Sequence, residues 1–121
     1  MKKLLYILSL CVCSFFVTAP TLAATLKLDE RVNDYANIIP DDAEAALEAK
    51  LEAFENETTN QFVVVTLPVL PDGTNIETAA NSIFNQNKLG QEGKDNGLLF
   101  AIAMDVKKTR FEVGYGLEGV F

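Results

Sequence analysis

Two continuous apolar runs, FVVV at residues 62–65 and LLFAIAM at residues 98–104, constrain the fold most. Neither alternates apolar with polar side chains, so each reads as a strand buried on both faces. A strand of that kind needs helical cover on each side, and the neighbouring sequence supplies it. The segment DDAEAALEAKLEAFENE, residues 41–57, carries Ala43, Leu47, Leu51 and Phe54 as one apolar stripe, with Glu48, Lys50, Glu52 and Glu55 left to solvent. Asp41 is the expected N-cap, and Glu44 would complete a capping box. Pro68 and Pro71 end the first run, after which Thr74 and Glu77 form a second capping-box candidate. Ile76, Ala80, Ile83 and Phe84 give that second helix its apolar side, and Lys88 falls in its expected last turn. RFEVGYG then alternates Phe111 and Val113 with Arg110 and Glu112, the pattern of an antiparallel partner with a more exposed face. With an extended lead-in over residues 25–40, this order predicts an α/β layered domain with a mixed sheet.

Residues 1–24 differ from the rest. A basic MKK start, an apolar stretch over residues 4–17 and a small-residue end with Thr21 and Ala23 at the −3 and −1 positions read as a signal peptide. An uncleaved N-terminal anchor is the alternative, since residues 4–24 approach the ~20 residues of a spanning helix. A lipoprotein cysteine in LSLC is a weaker one. Each predicts an exported chain, periplasmic or extracellular or membrane-anchored, with its domain at residues 25–121. Both cysteines, Cys11 and Cys13, lie in the apolar stretch, which removes thiol chemistry from that domain. Without Lys2 and Lys3 the balance is 8 basic against 17 acidic residues, a net charge of −9. Such a surface excludes a nucleic-acid partner.

The sequence has no histidine, so neither a Ser-His-Asp nor a Cys-His arrangement can be built, and zinc lacks its usual nitrogen ligand. Ser82 is the one serine beyond the leader and falls in a helix. GYGLEG, with Gly114, Gly116 and Gly119, lacks the spacing of a dinucleotide loop. Oxygen ligands remain, and these suit hard cations such as calcium or magnesium. Asp95, Asn96 and Gly97 are the best local candidate on residue type, and a tight turn opening a strand is the other reading of the same triplet.

VNDYANIIP, QFVVVTLPVL, IETAANSIFNQNKLG and GKDNGLLFAIAMDVKKTRFEVGYGLEG, in that order, resemble the TPM domain family. The family includes an acid phosphatase and a photosystem II repair factor of the thylakoid lumen. The resemblance covers residues 28–121. It implies a three-layer α/β/α sandwich, Rossmann-like, and a further helical region beyond GLEG, so that the C-terminal part of the domain would be missing here and one sheet face left partly bare. It also implies a carboxylate-lined site that holds calcium or supports phosphatase activity. Carried over by position, its metal residues are Asp34, Asp95, Asn96 and Glu118, with Gly97, Gly114 and Gly116 shaping the loops.

Three functions follow as expectations. The first is an exported module that binds calcium or another divalent cation and a membrane protein or membrane-associated complex. The second is a metal-assisted acid phosphatase on phosphomonoesters, with Asp34 or Asp95 as nucleophile or base. Against it, Lys94, Lys107, Lys108 and Arg110 are the only cations near that end of the chain. The third is an exported structural domain without an ion.

Overall fold

The two apolar runs become the central, adjacent strands of a mixed sheet. The computed structural model describes residues 26–120; the expected export segment, with Cys11 and Cys13, lies outside them. The elements run β1 (Val32–Asp34), α1 (Asp41–Thr58), β2 (Gln61–Leu67), α2 (Ile76–Gln86), β3 (Gly97–Ala103) and β4 (Lys108–Val113), followed by a 3-10 turn at Tyr115–Leu117. The strands lie in the order β1-β2-β3-β4. β1 and β2 are parallel, as are β2 and β3 from Gln61↔Gly97 to Leu67↔Ala103, while β4 is antiparallel to β3. Among the described residues no helix is long and apolar enough to cross a membrane.

The period-2 alternation of side chains sends the two helices to opposite faces. Val63, Val65 and Leu67 of β2, with Leu99, Ala101 and Ala103 of β3, pack against Ile76, Ala79, Ala80 and Ile83 of α2. Phe62 and Val64 instead meet Val32, Leu47 and Leu51 on the α1 side. The result is three layers. Both crossovers step sideways in the same direction, so helices on opposite faces require crossovers of opposite hand, one of them against the right-handed rule. In consequence, the chain leaves β1 for one face and β2 for the other. The carboxyl ends of these strands, at Asp34 and Thr66, therefore form a switch point of the kind at which open α/β sheets bind ligands.

Several local expectations are corrected. Pro40, not Asp41, precedes the first helical residue, and no side chain caps this start. Asp41, Asp42 and Glu44 all sit in the first turn, where they act on the helix dipole instead. The stripe of α1 is only partly buried: Leu51 is, while Ala43 and Phe54 are exposed. The cause is the position of α1 over β1 and β2, which leaves the same face of β3 and β4 only partly covered by the described residues. There Phe100 and Phe111 stack with ring centroids 4.4 Å apart, and Phe111 remains 54% exposed.

Glu48 and Glu55 are not solvent residues either. Glu48 accepts from the Val32 amide at 2.7 Å and from Arg31 Nη1 at 3.3 Å, and Glu55 accepts from Arg31 Nε at 2.8 Å. These contacts dock α1 and cover the free edge of the three-residue β1. The hydrogen bond that Arg31 donates to Glu55, opposed by burial and aided by the one to Glu48, raises the Arg31 pKa.

At α2 the cap is Asn75, whose side chain accepts from the Thr78 amide at 2.8 Å, while the Thr74 hydroxyl donates to the Pro71 carbonyl. Lys88 lies beyond the helix end in a left-handed conformation, φ 49°. Asn75→Ala is expected to lower stability by about 1 kcal/mol and Thr74→Ala by less, read from urea midpoints.

Candidate functional site

The expected metal residues occupy two ends of the sheet. Asp34 pairs in register with Thr66, and Thr66 with Ile102, whereas Asp95 and Asn96 precede Gly97 at the other end of β3. Five residues of strand at about 3.3 Å each separate the two levels by roughly 16 Å.

At the carboxyl end, the Asp34 carboxylate is engaged by its own loop. Its Oδ1 accepts from the Thr66 hydroxyl at 2.6 Å and the Ile38 amide at 3.1 Å, and its Oδ2 from the Ile39 amide at 2.9 Å. Burial pushes the carboxyl upward, but the bonds from Thr66, Ile39, Ile38 and Asn37 together outweigh it and hold the pKa below the usual value. Asp34 thus occupies the switch point as an internal anion, its charge matched by backbone N–H groups that a bound phosphate would otherwise take. Thr66, fully buried, also receives the Ala36 amide at 3.0 Å. The sequence reading missed Thr66, which only the strand register brings to Asp34.

At the amino end, three backbone segments meet almost without side chains between them. The Gly114 amide donates to the Gly97 carbonyl at 2.8 Å, and the Gly116 amide to the Asp95 carbonyl at 2.9 Å. A Cβ at Gly116 would lie 2.0 Å from the Lys94 carbonyl oxygen, one at Gly114 2.3 Å from the Asp95 carbonyl oxygen, and one at Gly97 2.6 Å from the Leu89 carbonyl carbon. DNG and GYG are therefore joined through their backbones.

Asn96 closes the frame from beneath. Its side chain, 5% exposed, accepts from the Gln91 amide at 2.7 Å and donates to the Thr59 carbonyl at 2.8 Å. Asp95, held at φ 47°, keeps its carboxylate at the surface. Glu118 is exposed at the end of the 3-10 turn.

The four residues expected to hold a divalent cation do not fit one ion. Asp34 lies at the far end of the sheet, and the Asn96 amide oxygen is already bonded to the Gln91 backbone. Calcium takes six to eight oxygens. No group of three or more His, Cys, Asp or Glu suited to a metal occurs among the described residues.

The joined loops instead frame a cleft of about 530 Å³ beside the end of α2, with Phe84, Asn85, Lys88, Glu92, Asp95 and Tyr115 on its walls. Tyr115 is 82% exposed. The ion pairs of the described residues, Arg31 with Glu48 and Glu55 and Arg110 with Glu112, lie elsewhere and leave the Glu92 and Asp95 carboxylates without a cation partner. Glu92, Lys88 and Tyr115 were not singled out in sequence as site residues; their position beside the glycine turns was the available signal. A separate shallow groove along α1 is lined by Glu30, Asp41, Glu44, Glu48 and Glu52. Burial, then repulsion from Asp34, Asp41, Glu30 and Glu48, raises the Glu44 pKa.

Layering, mixed sheet and a glycine-framed cleft define an α/β domain. The TPM domain family matches residues 32–121, and the chain belongs to that family. A solved structure similar to it is the N-terminal domain of a P. gingivalis protein determined by solution NMR, with 34% sequence identity and a TM-score of 0.67. That match covers 74% of this chain and 57% of the other, so the chain spans little more than half of its structural relative. No curated protein matches the sequence.

Proposed function

We propose that the chain is a TPM-domain binding module for a protein partner, acting through the amino-end cleft. The observation that carries the reading is the cleft itself: an exposed tyrosine and two carboxylates without cation partners on a backbone frame closed by glycines. The phosphatase reading is the weaker one. Asp34 is held below the usual carboxyl range by four donors, which makes it a poor base or nucleophile. Asp95 shares its cleft with Glu92 and a single cation, Lys88, so a phosphomonoester dianion meets net repulsion.

Two measurements on the purified chain test this. Hydrolysis of p-nitrophenyl phosphate with added magnesium or calcium is expected to stay at the buffer rate between about pH 4 and 7, the range in which carboxyl catalysts titrate. Melting with calcium is expected to match melting with chelator to within about 1 °C. An ion at a hundredfold its Kd would add about 2.7 kcal/mol, raising the Tm of a domain this size by roughly 10 °C or more. Turnover, or a shift of that size, would overturn the reading.

A further inference from the structure

We infer that the amino-end cleft accepts a cationic side chain, arginine or lysine, presented by a partner polypeptide. The inference rests on the binding-module reading and names the chemistry that the module selects. The cleft, about 530 Å³, has room for one long side chain and the backbone that carries it. Its walls hold two carboxylates, Glu92 and Asp95, against one ammonium, Lys88. Tyr115, 82% exposed, offers an aromatic face on which a guanidinium or ammonium can lie, and Phe84 supplies apolar wall for the methylene stem. Asn85 and Gln91 add amide oxygens that can accept from the cation's remaining N–H groups.

The whole-chain field acts in the same sense. A formal charge of −7 attracts a basic segment. An anionic partner meets the opposite of each of these terms. A neutral one leaves both carboxylates unmatched.

Fluorescence anisotropy with three labelled Gly-Ser peptides, carrying arginine, glutamine or glutamate at the same positions, tests the assignment. The arginine peptide is expected to bind, the glutamine peptide at least about tenfold more weakly, and the glutamate peptide not at all. Asp95→Asn combined with Glu92→Gln is expected to weaken the arginine peptide about five- to tenfold, and Tyr115→Ala about two- to fivefold. Lys88→Gln is expected to tighten it about two- to threefold, an effect of opposite sign.

Asp72→Asn, in the loop after the carboxyl end of β2, is expected to change binding little. Loss of affinity in that variant equal to the loss in the cleft variants would reduce the effect to net charge and overturn the inference. So would absence of arginine-peptide binding. Tyr115-sensitive binding of the glutamine peptide alone would remove the cationic class while leaving the binding module standing, and phosphate ester turnover without peptide binding would remove both.

Discussion

Replacing Gly116 by alanine is expected to lower stability by about 3 kcal/mol, the upper end of what overpacking costs in a close-packed site. A Cβ there would sit 2.0 Å from the Lys94 carbonyl oxygen and 3.0 Å from the Asp95 carbonyl oxygen. Neither atom belongs to a flexible side chain, so the 3-10 turn would have to move off the 94–97 loop. That movement would break the bond from the Gly116 amide to the Asp95 carbonyl and pull on the Gly114–Gly97 bond at the start of β3. Gly119→Ala is the matched control, because a Cβ at Gly119 meets nothing within 4 Å. Its cost is expected to stay within about 0.5 kcal/mol. Urea midpoints for the two variants, measured side by side, check the pair, and equal losses would show that the turn is not packed against the loop.

The contrast between these glycines shows what could and could not be read from the chain. The central strands were legible because a run of apolar residues without alternation has one stable use in a small domain, and β2 and β3 occupy it. Helix existence followed from periodicity, but its depth did not. Ala43 and Phe54 match the stripe of Leu47 and Leu51 by spacing, yet exposure depends on which strands α1 overlies, and that is tertiary information. Glu48 and Glu55 were assigned to water for the same reason, since nothing local to them announces Arg31. The caps failed on a smaller scale: Thr74 and Asn75 are both good capping residues, and the turn bonded to Pro71 takes the first and leaves the second to the helix.

Polar residues of the expected site divide along the same line. Their residue types suit oxygen ligation, but residue type does not reveal whether the oxygens are already engaged. Asn96 accepts from Gln91 of its own loop and donates to Thr59, 37 residues away, which only the fold brings to it. The hand of the crossovers is also invisible in sequence, and it makes the carboxyl ends of β1 and β2, where Asp34 stands, a switch point.

Asp34→Ala is expected to cost about 2 to 3 kcal/mol, because it removes a charged acceptor shared by the Thr66 hydroxyl and the Ile38 and Ile39 amides. Asp34→Asn keeps one oxygen and is expected to cost about half as much. The acid profile separates this role from simple packing. A carboxyl whose pKa is lowered by folding contributes stability that is complete above its unfolded value, about 3.9, and is lost as pH falls through the lower folded value. Glu44 acts with the opposite sign: burial first, then repulsion from its acidic neighbours, raises its pKa, so protonation relieves both and its contribution grows as pH falls. The natural chain should therefore lose stability below about pH 4 more steeply than Asp34→Asn does, while Glu44→Gln should steepen the acid loss. Urea midpoints between about pH 2.5 and 6 read both slopes. Parallel curves for the natural chain and Asp34→Asn would show that the carboxylate's charge is not what the 34–39 loop is built around.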